Sequence, residues 1–183
     1  MSWDAESPPR YTERTFPPYS YVAGFTPHPV SHPDGHMHNR VEPAPTSLDP
    51  TRWQECEVFR YAVDLFNHGY YWEAHEAWET LWLAADRAGP IADFCKGLIK
   101  LAAAGVKARE GNPRGVRRHA ARSAELVASV QNETSPAKSL CGLPFQDLLK
   151  AADTLLNEDA DAYREPCPER MLPLQLVLST ATK

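Results

Sequence analysis

Ten of the first fifty residues are proline: Pro8, Pro9, Pro17, Pro18, Pro27, Pro29, Pro33, Pro43, Pro45 and Pro50. Proline has no backbone N–H and fixes φ, so this density excludes a helix or a central strand there. The chain of 183 residues therefore reads as an extended arm, residues 1–48, ahead of one helical domain over 49–183. The residues behind the arm are numerous enough for a single domain with an adequate core. The arm is not featureless. It holds Trp3, Tyr11, Phe16, Tyr19, Tyr21 and Phe25, four histidines (His28, His32, His36, His38) and the turn dipeptide Asp34-Gly35. Aromatics at that density suit an arm laid along an apolar surface rather than a disordered linker.

Behind the arm, Asp49 and Pro50 suit the N-cap and first position of a helix. Trp53, Cys56, Phe59, Ala62, Val63 and Phe66 then recur at helical steps, and Asn67-His-Gly69 supplies a stop. Further helices are expected over about 71–85, 91–109, 113–130 and 144–157. They are separated by Gly89-Pro90, by Gly111-Asn-Pro113 and by a polar loop. Ala102-Ala-Ala-Gly105 has almost no side-chain bulk, so a neighbouring helix can come close. No fixed-period repeat and no hairpin signal appears. The tail Leu172-Pro-Leu-Gln-Leu-Val-Leu178 reads as extended and apolar, lying against the helices. The fold class is all-α: a compact bundle of about five helices with an extended arm and an extended tail.

Net charge is −5, which disfavours a generally basic nucleic-acid coat. The charge is nonetheless segregated. Residues 96–122 hold eight bases and one acid, and residues 147–165 hold six acids and two bases. Solvated, partly paired helix faces account for this, and an anionic ligand on the basic face is the functional alternative. No aromatic side chain (Phe, Trp or Tyr) lies between Gly97 and Gln131, so platforms for stacking single-stranded bases are missing there. Cys56, Cys95, Cys141 and Cys167 form no CxxC pair and match no zinc spacing. Reduced thiols, no signal-like apolar core in MSWDAESPPR and no membrane-length apolar run point to the cytoplasm. A homo-oligomer is compatible with all of this.

The most informative stretch is Phe66 to Trp82. At about 100° per residue, Tyr71, His75, Trp78, Glu79 and Trp82 share one face, with Glu76 on its flank. Glu73 is expected to point away into solvent. A carboxylate carried inward needs a partner; candidates are His75, Lys96, Lys100, Asn67 and Asn112. Such a group supports acid–base or metal chemistry. The catalytic candidates are His75, Glu76, Glu79 and Lys96. His75, Glu76 and Glu79 are also candidate ligands for a divalent metal. Asn67, Tyr71, Trp82, Lys100 and Asn112 are candidate substrate contacts. The order is His-Glu-x-x-Glu, one residue away from the zinc signature His-Glu-x-x-His, and no Glu-x-x-His step exists for a di-iron site. A hydrogen-bonded network that fixes helix packing is the structural alternative. The arm histidines are either solvent-exposed loop groups or additions to this cluster. His68 can cap carbonyls, and His119 is expected to be exposed.

Phe66-Asn-x-Gly-x-Tyr-x-Glu-Ala-His-Glu-x-Trp-Glu-x-x-Trp82 resembles the signature of domain-of-unknown-function family 309. Phe94-x-x-Gly-Leu-Ile-x-Leu-Ala102, and Gly111-Asn112 followed by Gly115, continue the likeness, which spans about residues 53–130. The resemblance implies a compact all-α fold. It implies motif positions at Asn67, Tyr71, Glu73, His75, Glu76, Glu79, Trp82 and Asn112, and it brings no activity with it. Family members often carry glutamine where this chain has Lys96 and Lys100, which fit salt-bridge partners for Glu76 or Glu79. Two functional classes follow. The first is a metal- or small-molecule-binding protein with hydrolase-type acid–base chemistry at the helix-two cluster. The second is a non-enzymatic binding or scaffold module using the basic face 96–122 or the apolar tail.

Overall fold

The computed structural model describes residues 7–41 and 47–179; Trp3, Pro43 and Pro45 lie outside the described residues. Five α-helices follow in chain order among these residues: α1 Glu57–Asn67, α2 Tyr71–Ala84, α3 Gly89–Arg109, α4 Pro113–Glu133 and α5 Phe145–Asn157. The all-α expectation holds. Asp49 does not cap α1, which begins well after the expected start. Its Oδ1 instead accepts from the Thr51 amide at 2.8 Å and hydroxyl at 2.7 Å, a local turn that competes with helix entry. A single 3-10 turn, Trp53–Glu55, and extended backbone at Cys56 follow. This break turns Trp53 inward, edge-on to Phe59 and over Gly142, where a Cβ would lie 2.5 Å from the indole.

α1 ends as the sequence requires. Gly69 sits at φ +82, the left-handed region that glycine enters without strain. Its amide donates to Phe66 O and the Tyr70 amide to Leu65 O at 2.8 Å, which is a Schellman closure. Asn112 caps α4: its Oδ1 accepts from the Gly115 amide at 2.8 Å, and Pro113 opens the helix. One small departure from the sequence reading is a hairpin, β1 Ser139–Leu140 with β2 Leu143–Pro144. Cys141 and Gly142 form its turn, both at positive φ, as a two-residue hairpin demands. Cysteine in the first turn position hid it.

α3 runs between α2 and α4 and antiparallel to both. Tyr71 packs on Gly105, where a Cβ would come within 2.5 Å of the ring, while Trp82 meets Lys96. On the other side Gly97 faces Ser123 and Val127, and Lys107 faces Gly115. The small residues of α3 thus set both helix spacings. Phe59, Phe66, Tyr71, Trp78, Phe94, Leu98, Leu101, Val127, Phe145 and Leu148 fill the core.

The arm and tail have almost no regular structure, so their backbone groups need side-chain partners. α1 and α2 supply them. Asp64, fully buried, accepts from the Tyr11 amide at 2.7 Å, the Thr12 amide at 2.9 Å and the Thr12 hydroxyl at 2.7 Å. Arg10 Nε approaches the same carboxylate at 3.3 Å. Asn67 makes a two-way clasp on the tail, donating to Leu176 O and accepting from the Leu176 amide, each at 2.8 Å. Tyr71 Oη accepts from the Leu172 amide at 2.7 Å, and Tyr11 Oη from the Leu178 amide at 3.0 Å. Removing one buried partner strands the other, at about 1–3 kcal/mol for each orphaned group. Asn67→Ala is therefore expected to lower unfolding free energy by about 2–4 kcal/mol and to speed hydrogen exchange at the Leu176 amide. Urea melts and exchange mass spectrometry check this; wild-type values for both would show that the clasp holds nothing.

Candidate functional site

α2 has two polar sides. Its core side carries Tyr71, Ala74, Trp78 and Leu81, all buried. Glu73, expected in solvent, is buried instead, because the arm lies over it. Its Oε1 accepts from the Tyr21 amide at 2.8 Å and lies 3.2 Å from His36 Nε2. Ser20 Oγ donates to Gly69 O at 3.1 Å, with Glu73 Oε2 at 3.4 Å. Burial pushes the Glu73 carboxyl up, opposed by the Tyr21 amide and by His36. Ser20 also accepts from the buried Arg109 guanidinium at 3.0 Å. Arg109 Nε donates to Arg170 O at 2.9 Å, and the guanidinium lies over the Tyr71 ring at 5.0 Å. Burial lowers the Arg109 pKa. Arm, α2, α3 and tail thus meet in one buried polar network.

His36 is the arm histidine that reaches α2's polar groups. His28 packs edge-on to Trp72, and its Nδ1 accepts from the Val30 and Ser31 amides. His32 Nδ1 accepts from the Asp34 amide, and His38 Nδ1 donates to Val30 O. None of the arm histidines joins the cluster on the other side of α2. His68 Nδ1 donates to Asp64 O at 2.8 Å, capping the end of α1 as expected.

The other polar side of α2 holds His75, Glu76 and Glu79. Each offers a ligand atom, and these atoms lie within 4.8 Å of one another. The helix explains the grouping, since positions i, i+1 and i+4 project to neighbouring points. All are half-buried at the flank of the core, not within it as the wheel alone implies. His75 Nδ1 is 3.3 Å from Glu76 Oε1, yet it is buried without a hydrogen-bonding partner; the contact has proximity without alignment. Imidazole with two carboxylates is a donor set for zinc, manganese or ferrous iron. Ligands around one such ion stand about 3–4 Å apart, so small side-chain rotations would close the set.

Trp82 is half-buried beside this cluster, with Lys96 Nζ 4.8 Å over its ring. The expected salt bridges from Lys96 or Lys100 to Glu76 or Glu79 do not form; among the described residues neither lysine has a carboxylate within ion-pair distance. Stacking on the indole already engages the Lys96 ammonium. Asn67 and Tyr71 have their polar atoms occupied by the tail, and Asn112 serves as the exposed cap of α4. The structure therefore gathers His75, Glu76 and Glu79, stacks Lys96 on Trp82 with Lys100 one turn further along α3, and leaves Asn67, Tyr71 and Asn112 elsewhere.

His119, expected in solvent, is half-buried. It shares the α3-facing stripe of α4 with Gly115 and Ser123, at four-residue steps that were readable in the sequence. Burial first, then the charges of Lys100, Arg118, Lys107 and His75, push its pKa down to about 4. Spacing alone does not single out Asp64, Glu73 and Arg109 as network residues; the signal for Asp64 is an acid among the buried residues of α1.

A small all-α bundle with a one-helix His/Glu group defines the class of protein. Residues 59–119 match the family model described as Domain of unknown function (DUF309), the family that the α2 motif resembles. The match runs from α1 to His119 and includes every residue of the cluster. No curated protein and no solved structure matches the chain. Among the described residues, no helix is long and apolar enough to cross a membrane.

The folded protein holds His119 neutral down to about pH 4, whereas an unfolded chain binds its proton near 6.5. The unfolded state carries more protons between those values, so this group's stability contribution is complete above pH 6.5. It is lost as pH falls towards 4. His119→Gln is expected to flatten that part of the stability–pH curve in urea melts. An unchanged slope would mean that His119 protonates freely in the fold.

Proposed function

We propose that this protein binds a divalent metal ion through His75, Glu76 and Glu79, and that the surrounding strip carries metal-assisted, hydrolase-type chemistry. The observation that carries the reading is His75, whose Nδ1 is buried without a partner and whose imidazole offers a ligand atom within 4.8 Å of those of two carboxylates. A buried nitrogen without a hydrogen bond costs free energy unless something fills its lone pair. A neutral imidazole donates that lone pair to a cation. The half-burial of the trio leaves a side open to solvent, as a catalytic rather than a closed structural site needs.

When bound, such an ion lowers the pKa of a coordinated water and polarises an ester or phosphoryl oxygen. The chain's own groups divide the remaining work. Glu76 and Glu79 offset the ion's charge and fix its position. Lys96 and Lys100 lie beside the open side as cations. Trp78 and Trp82 wall the inner side and restrict water, which strengthens each electrostatic contact.

The test is metal analysis by inductively coupled plasma mass spectrometry on protein made without a histidine tag, followed by calorimetric titration with zinc and manganese. One equivalent per chain is expected. His75→Ala should weaken binding by about a hundredfold or more, and Glu79→Gln by about tenfold. Thermal melts establish that both variants fold. Absence of binding at micromolar metal, or full binding by His75→Ala, would remove the reading.

A further inference from the structure

The strip of α3 beside the metal-ligand candidates has its own chemistry. Four pairings place it. Gly105 lies under Tyr71, and Lys96 lies over Trp82, so the turn holding Lys100 runs level with the part of α2 that carries His75 to Glu79. Gly97 faces Ser123, and Lys107 faces Gly115, so the same turn of α3 runs level with His119 on α4. Lys96, Lys100 and Ala103 follow one another at helical steps, half-buried. The strip is therefore bordered by an imidazole on each side, His75 from α2 and His119 from α4.

Among the described residues its lysines lack counter-charges, although Lys96 stacks on the Trp82 ring. Three cations of this region have partners: Lys107 pairs with Glu110 at 2.5 Å, Arg122 with Glu125 at 2.7 Å, and Arg109 with the arm and tail; Arg114, Arg117 and Arg118 are exposed on α4, where water solvates them. Lys96 and Lys100 have no carboxylate within ion-pair distance among the described residues. A lysine held half-buried without a counter-charge attracts an anion. Burial and neighbouring cations keep His119 uncharged at neutral pH, so it offers one N–H and one lone pair to a bound group without adding repulsion.

We propose that Lys100, with Lys96 and His119, forms an oxyanion subsite facing the His75–Glu76–Glu79 group, and that its ligand is a small phosphorylated molecule. This rests on the metal reading for its chemistry, because ion and lysine would grip one phosphoryl group from two sides. Phosphate is favoured over carboxylate because it has oxygens enough for an ion, an ammonium and an imidazole together. A small molecule is favoured over a nucleic acid by the net charge of −5 and the lack of Phe, Trp or Tyr from Gly97 to Gln131.

The experiment titrates the full chain with inorganic phosphate, followed by amide NMR shifts, without metal and with one equivalent of zinc. Shifts confined to about residues 75–82, 96–103 and 116–122 are expected, at lower phosphate concentration when zinc is present. Lys100→Gln should weaken phosphate at least about tenfold, with zinc affinity kept within about twofold; His119→Gln should weaken it by a smaller factor. Arg117→Gln, on the exposed side of α4, controls for general loss of charge and should leave phosphate affinity unchanged. Phosphate binding that survives without any metal binding would uphold the subsite while removing the metal reading. Unchanged affinity in Lys100→Gln overturns the proposal. So does equal weakening by Arg117→Gln, or tighter, steeply salt-dependent binding of single-stranded DNA.

Discussion

Burial of two carboxylates on consecutive helices is the constraint from which the rest of this architecture follows. Asp64 and Glu73 are each taken out of water, at a cost that only hydrogen-bond donors offset. The proline-rich arm supplies those donors. Its backbone cannot enter a helix or a ladder, so the amides of Tyr11, Thr12 and Tyr21 are free to bond side chains. Each party solves the other's problem: the acids need donors, and the irregular chain needs acceptors. Asn67 and Tyr71 repeat the arrangement with the tail. Arg109 then joins both segments through Ser20 and Arg170.

This explains why α2 can carry five polar or charged side chains in little more than two turns without unravelling the core. The arm covers Glu73, and the helix's opposite flank is left half-open with His75, Glu76 and Glu79. The two sides differ in consequence. Both carboxylate oxygens of Glu73 have partners in the arm, an arrangement that serves the packing of that side. Around His75 a buried nitrogen lacks one, and two lysines lack counter-charges. Unsatisfied groups concentrated at one solvent-reachable place mark where a ligand gains most on arrival.

Helix α3 connects packing to that site. Gly97 and Gly105 admit Val127 and the Tyr71 ring at contact distance. Close approach on both sides narrows the outward strip of α3 and brings α2 and α4 to its borders. Larger residues at either glycine would separate the helices and move His75 away from His119. The spacing of the site is thus set by residues with almost no side chain.

The sequence by itself determined the class of the fold, most helix positions, the stop at Gly69 and the break at Gly111-Asn-Pro113, because these depend on local periodicity and backbone chemistry. It also determined that His75, Glu76 and Glu79 would stand together, since one helical turn suffices to place them. Only the tertiary structure decided which acid of α2 is buried. A helical wheel assumes that solvent lies opposite the core, and here the arm occupies that position over Glu73. The late start of α1, the stacking of Lys96 on Trp82 and the burial of His119 were likewise settled by contacts with distant segments. Those contacts are made between residues far apart in the chain, and local spacing carries no record of them.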